Sequence, residues 1–141
     1  MQVLYTASAR ATGDGRDGHV QTSDGTLDLD LAVPKEMGGA GGAANPEQLF
    51  AAGYAACFHS ALRLVARHAK ADVTGSVVEA EVGIGPNGAG GFGLAVTLVV
   101  DLPTVDRATA EQLVAQAHQV CPYSNATRGN IEVALTVRDA A

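Results

Sequence analysis

Asn45-Pro46-Glu47-Gln48-Leu49-Phe50-Ala51-Ala52-Gly53-Tyr54-Ala55-Ala56-Cys57-Phe58-His59-Ser60-Ala61-Leu62-Arg63-Leu64-Val65-Ala66-Arg67-His68-Ala69-Lys70 reads as one long helix. Asn45 suits the N-cap, Pro46 the first helical position, and Gln48 completes a capping-box pattern three residues after the cap. From Leu49 to Leu62 nearly every residue is apolar or small, and a helix apolar all round is expected to be buried. Charge returns at Arg63, Arg67, His68 and Lys70, where cations complement the helix dipole. A thiol, Cys57, therefore stands in the middle of a helix that the rest of the chain must cover.

Upstream, Val3 to Thr12 is a plausible strand, followed by the loop Gly13-Asp14-Gly15-Arg16-Asp17-Gly18, whose three glycines allow positive φ. His19 to Thr22 is a short strand, and Asp24-Gly25 signals a hairpin into the alternating Leu27, Leu29, Leu31 and Val33, closed by Pro34. Met37 to Ala44 is a Gly- and Ala-rich connection. Downstream, Val78, Ala80, Val82 and Ile84 alternate. After the loop Pro86-Asn87-Gly88-Ala89-Gly90-Gly91, so do Phe92, Leu94, Val96, Leu98, Val100 and Leu102. Asp106 to Val120 carries Ala110, Leu113, Val114, Ala117, Val120 and Cys121 at helical spacing, and Pro122 ends it. Tyr123 to Asn130 is a turn-rich connector, and Ile131, Val133, Leu135 and Val137 form a closing strand. Three strands, a helix, two strands, a helix and a strand make an α+β chain with antiparallel sheets and two main helices.

The 141 residues are expected to form a single domain, 1–141, with 47% apolar and 17% charged residues in keeping with a compact globule. Net charge is −6 with no basic cluster, which argues against nucleic acid and anionic membranes as partners. No uninterrupted apolar run reaches the roughly 18–20 residues of a membrane span, and the N-terminus has no signal-peptide pattern. The cytoplasm is the expected location. In a reducing compartment two cysteines are seldom a structural staple.

Three readings of the thiols stand side by side. Each could be a small core hydrophobe. A metal site would use His59 beside Cys57 or His118 beside Cys121. The second pair shares a helix face, but the first, two residues apart, points about 200° apart, which argues against a closed four-ligand zinc site. In the third reading the two helices pack together and the sulfurs meet as a redox pair. Burial alone raises a thiol pKa, so a working thiol needs a cation brought to it. Cys57 is about three turns from its helix N-terminus, and Arg63 and Arg67 are six and ten residues away. Arg16 remains by elimination, although an ordinary solvated turn residue would look the same.

Two segments carry a resemblance to a known family. Asn45 to Phe58, with Cys57, resembles the first signature of the organic hydroperoxide resistance proteins, the Ohr branch of the Ohr/OsmC family. Val120-Cys121-Pro122-Tyr123-Ser124-Asn125-Ala126-Thr127-Arg128-Gly129-Asn130 resembles the second. The loop Gly15 to Val20 and the strand Leu27 to Pro34 match as well, so the likeness covers nearly the whole chain. The resemblance implies an OsmC-like fold in an intertwined homodimer, with active sites at the subunit boundary. It implies thiol-dependent reduction of organic hydroperoxides, with Cys57 peroxidatic and Cys121 resolving. Arg16 becomes the thiolate-stabilising cation and Glu47 its orienting carboxylate. Recycling falls to dihydrolipoyl groups on a lipoylated protein, with no metal, haem or other bound cofactor.

The residues allow that chemistry. Lowering a thiol pKa from about 8.5 to near 6 takes roughly 3.4 kcal/mol, within reach of one partly buried cation. Glu47 precedes Cys57 by ten residues, about 15 Å along a straight helix, so one Arg cannot easily serve both. Either the helix breaks near Gly53, or an Arg16–Glu47 pair reaches Cys57 from the neighbouring subunit; the second is preferred. Leu49, Phe50, Tyr54 and Phe58 offer an apolar wall for a substrate tail, with plain core packing as the alternative. Ser124, Asn125, Thr127 and Asn130 read as turn formers, and the four histidines receive no catalytic task. Rival functions are an OsmC-branch peroxidase with other peroxide preferences, and a non-catalytic redox sensor or apolar-ligand carrier on the same fold.

Overall fold

The computed structural model describes residues 1–139 and divides into two compact units, Met1–Leu49 and Phe50–Ala141. In the first, β1 (Ala9–Thr12), β2 (His19–Thr22) and β3 (Asp28–Asp30) form an antiparallel sheet in the order β1-β2-β3. The first strand begins at Ala9 rather than Val3, because β2, its one partner among the described residues, is four residues long and is used up by the register Ala9↔Thr22 to Thr12↔His19. The third is likewise cut to three residues. Leu31 leaves the ladder to bridge Ala44 in parallel, and the Ala32 N–H donates to the Ala44 carbonyl at 2.9 Å.

Between β1 and β2 a short 3-10 turn, Gly15–Asp17, carries Arg16. Two backbone constraints fix this turn. Gly15 has φ +64°, and at Gly18 an added Cβ would fall 2.2 Å from the Thr12 carbonyl oxygen, so no other residue fits there. The carboxylate of Asp17 accepts from the Val33 N–H at 2.9 Å, tying the turn to the chain that follows β3.

Helix α1 spans Pro46–His68. Its start is the expected reciprocal cap: the Gln48 N–H donates to Asn45 Oδ1 at 2.9 Å and the Asn45 N–H to Gln48 Oε1 at 3.2 Å. The helix runs unbroken through Gly53, so the expected alternative of a break there does not occur. Nor is it buried all round. Tyr54, Phe58, Ala61, Leu62, Val65 and Ala66 are buried, whereas Ala52, Ala56 and Ser60 are exposed and Leu64 is 39% exposed. By length and composition α1 is also apolar enough to cross a membrane, at 23 residues with a mean hydropathy of 1.4 in its most apolar window. His59, Ser60 and Arg63 interrupt the apolar run without bringing its average below that of a membrane span. What the buried stripe serves is the core of the second unit.

That core lies on a sheet of β4 (Val77–Pro86), β5 (Phe92–Asp101) and β6 (Val133–Val137), in the order β4-β5-β6. Pairing stacks three apolar rows across it: Val82–Val96–Val133, Ala80–Leu98–Leu135 and Val78–Val100–Val137. Val96, Leu98 and Val100 on the central strand are buried. In this sheet the antiparallel expectation holds for β4 and β5 only. β6 joins β5 in parallel, because the chain returns through two helices, and a helical crossover is what a parallel neighbour requires. Helix α2 (Arg107–Val120) is capped by Asp106, whose carboxylate accepts from the Thr109 N–H at 2.7 Å. It buries Ala110, Leu113, Val114 and Ala117, while Val120 is 46% exposed. The expected connector is instead a third helix, α3 (Pro122–Thr127). Pro122 terminates α2 and, at N1 with Cys121 as N-cap, starts the next helix in the same step.

Candidate active site

Cys57 lies near the middle of α1 and Cys121 at the junction of α2 and α3, and both are free thiols. Their sulfurs are 3.5 Å apart. Cys121 is fully buried and Cys57 partly so, which makes Cys57 the one an incoming molecule can reach. Disulfide sulfurs sit about 2.05 Å apart, so joining these two takes a closure of roughly 1.5 Å. Burial pushes the Cys57 thiol pKa up; a hydrogen bond from the Tyr123 backbone N–H opposes this, and the neighbouring Cys121 adds to the rise. These groups together favour the protonated, unreactive form.

In the first unit the Arg16 guanidinium meets the Glu47 carboxylate fork to fork, Nη1 to Oε2 at 2.9 Å and Nη2 to Oε1 at 2.7 Å. The Arg16 side chain is 38% exposed and that of Glu47 only 12%. The hydrogen bonds from Arg16 hold the Glu47 carboxyl below its ordinary range, and the same pairing raises the Arg16 pKa further. Both partners are charged, and the fork fixes their geometry. At this exposure it contributes no more than about 1 kcal/mol to stability.

Of the expected apolar wall, Tyr54 and Phe58 have no exposed surface and are core residues. Leu49 and Phe50 are half-buried. Phe50 forms an aromatic triangle with Tyr54 and Tyr123, with centroids 6.2, 6.1 and 5.7 Å apart. It also lines an open cavity of about 560 Å³ with Phe92, Leu94 and Ile131. Gly53 lets the Tyr123 ring lie against α1, since a Cβ there would fall 3.0 Å from the Tyr123 hydroxyl.

Reading Ser124 and Thr127 as turn formers missed a buried polar network. The Tyr54 hydroxyl bonds to Ser124 Oγ at 2.8 Å and to Thr127 Oγ1 at 3.2 Å, and His118 Nδ1 bonds to the same Ser124 Oγ at 2.8 Å. Burial, with the charge of Arg128 behind it, lowers the His118 pKa. The signal that could have revealed the network is the spacing 118–121–124, which places a polar residue three positions to either side of Cys121. Among the described residues no group of three or more His, Cys, Asp or Glu is arranged to hold a metal ion. His59 is engaged elsewhere, its Nε2 2.9 Å from Ser76 Oγ.

A buried thiol paired with a partly accessible one, at the edge of an α+β core, defines a two-cysteine protein. A family model described as OsmC-like protein matches residues 39–136, and the chain belongs to that family, in its organic hydroperoxide resistance branch. The organic hydroperoxide resistance protein of Xanthomonas axonopodis pv. citri is 56% identical over 138 residues, covering 96% of each chain. OhrB of Bacillus subtilis is 47% identical over 96% of this chain and 98% of its own. The crystal structure of an organic hydroperoxide resistance protein from Elizabethkingia anophelis superposes with a TM-score of 0.94 at 55% identity, over 99% of both chains.

Proposed function

We propose that the protein is a cysteine-based peroxidase that reduces organic hydroperoxides to alcohols. The observation that carries this is the approach of the two free sulfurs to 3.5 Å, with Cys57 the more accessible. The Cys57 thiolate attacks the distal peroxide oxygen; the O–O bond breaks, the alkoxide leaves and takes a proton to become the alcohol, and Cys57 becomes a sulfenic acid. The Cys121 thiol then condenses with that sulfenic acid: the S–S bond forms, the S–O bond breaks, and the hydroxide leaves with the thiol proton as water. This protects Cys57 from over-oxidation. An external dithiol restores both thiols by exchange, and we assign that role to dihydrolipoyl groups on a lipoylated protein. No resident cofactor enters the cycle.

The Arg16 guanidinium, held in place by Glu47, supplies the positive charge that favours the Cys57 thiolate. Its fork can donate to the polarising peroxide. Because α1 is unbroken, we place the pair that serves a given Cys57 on the neighbouring subunit of a homodimer. The exposed side of α1 (Ala52, Ala56 and Leu64) supports a second copy, since an obligate interface needs apolar surface. The substrate class is a hydroperoxide with an apolar tail, for which Phe50 and Phe92 offer surface. A cytoplasmic location fits two thiols that must be kept reduced.

Stopped-flow turnover of a fatty-acid hydroperoxide, with dihydrolipoamide set against thioredoxin, tests the reading. Rapid cycling with dihydrolipoamide alone, and far slower cycling on hydrogen peroxide, is expected. A Cys57→Ser protein that still consumed hydroperoxide at the full rate would overturn it.

A further inference from the structure

The residue that resolves a sulfenic acid must be held within reach of it, and the structure contains a device that could do this. Cys121 is the pivot between α2 and α3, with an extended backbone (φ −64°, ψ 123°) separating two helical turns. At such a pivot the relative angle of the two helices is set by packing and by whatever side-chain bonds span it. Here His118, in the last turn of α2, bonds across it to Ser124, in the first turn of α3, at 2.8 Å. Arg128 makes a second strap over the same pivot, reaching back to the His118 carbonyl while its other arm holds Asn125 Oδ1. The brace is anchored to α1 by Tyr54, whose hydroxyl lies 2.8 Å from Ser124 Oγ. Tyr54 precedes Cys57 by three residues, so the anchor sits one helical turn from the thiol that Cys121 must meet. Tyr54 and Ser124 have no exposed surface, and every buried side-chain N or O among the described residues has a partner.

We propose that His118, Ser124 and Tyr54 are positioning residues for disulfide formation, a hydrogen-bonded staple that holds Cys121 against Cys57. The proposal rests on the peroxidase reading for its physiological meaning, but not for its test. A polar chain in an otherwise apolar core is conformationally exacting, because the fully buried hydroxyls of Tyr54 and Ser124 have no water to turn to if its geometry is lost. Its geometry therefore transmits directly to the sulfur–sulfur distance.

The test is the equilibrium of the full-length protein with glutathione. Protein dithiol and glutathione disulfide exchange to protein disulfide and two glutathione thiols, so the equilibrium constant reports the effective concentration of one thiol at the other. No hydroperoxide is involved, so the result stands whether or not the protein is a peroxidase. Tyr54→Phe and Ser124→Ala should each lower the effective concentration about 5- to 10-fold, the scale of one lost hydrogen bond. The double variant should lose little more than the worse single, since both cut one chain. His118→Asn, which keeps a polar atom near the Nδ1 position, should retain most of what His118→Leu loses. Asp106→Ala is the control: it removes the cap at the far end of α2 and lowers stability comparably. It should leave the equilibrium within twofold. Unchanged equilibria in folded Tyr54→Phe and Ser124→Ala, or an equal fall in Asp106→Ala, would overturn the proposal.

Discussion

Replacing Arg16 with methionine should separate the two influences on Cys57 most cleanly. The groups around this thiol within its own unit include one that lowers its pKa, the Tyr123 N–H, set against burial and the neighbouring Cys121, and the outcome is a raised value. In the proposed site a guanidinium reverses that. At about 4 Å and an effective dielectric of about 20, a unit charge stabilises the thiolate by about 4 kcal/mol. A depression of two pK units requires only about 2.7 kcal/mol, so one cation is enough. Removing it should therefore cost up to about a hundredfold in thiolate at neutral pH, where the protonated form then dominates. The assay is the rate of alkylation by iodoacetamide as a function of pH, in a Cys121→Ser background so that a single thiol is followed. In Arg16→Met the midpoint should move to higher pH and the rate at pH 7 should fall by up to about 100-fold, less the gain in nucleophilicity of a more basic thiolate. Glu47→Gln should fall less, by about tenfold, because two effects oppose each other. The fork at 2.7 and 2.9 Å loses its anchor, but a negative charge that disfavours the thiolate is also removed. Superimposable rate–pH profiles with and without the Arg16→Met substitution would refute the assignment of Arg16 as the activating cation.

In Cys121→Ser, a trapped Cys57 sulfenic acid should persist and pass to the sulfinic acid with excess hydroperoxide, read as two added oxygens by intact mass; disulfide-free cycling at the native rate would argue against a resolving role for Cys121. Gly53→Ala sets a gain in helix propensity of about 1 kcal/mol against a Cβ only 3.0 to 3.3 Å from the Tyr123 ring. Tyr123 is 40% exposed and able to yield, so stability by chemical denaturation should change by less than about 1 kcal/mol while the Tyr123 ring resonances shift. NMR titration should find the two histidines displaced in opposite directions. His19, held by Asp30 and then Asp28, should titrate above its ordinary value, and His118, affected by burial and then Arg128, below it. The signs follow: His19 supports the fold below its unfolded-state pKa and loses that support as pH rises through its folded value. His118 supports it above its unfolded-state pKa and loses that support as pH falls, so coincident midpoints near 6.5 would contradict both environments.

Much of the fold is legible in the sequence because its signals are local. The Asn45–Gln48 box, the helical stripe from Ala110 to Ala117 and the alternation from Val78 to Leu102 each need only a few neighbouring residues, and each appears in the structure where the residue types place it. What misleads is information that belongs to a partner. The length of β1 is set by β2, the direction of β6 by the two helices that carry the chain back to β5, and the wet side of α1 by what covers it. None of these is encoded in the segment itself. The same distinction divides the site. Cys57 and Cys121 are conspicuous as the two cysteines in 141 residues, and their motifs announce them.

Ser124 and Thr127 look like turn residues because a hydroxyl that caps a turn and one that closes a buried network are the same hydroxyl. Only the tertiary position of Tyr54, seventy residues away, separates the two roles. That separation has a physical consequence. A local cap can be replaced by water when it is lost, whereas Ser124, fully enclosed, has no such substitute. Residues that escape notice in the sequence for this reason are therefore those whose loss the folded protein is least able to repair. In this chain Ser124 is one of them, three residues from Cys121, and its partner Tyr54, three residues from Cys57, reads in the sequence only as apolar wall or core.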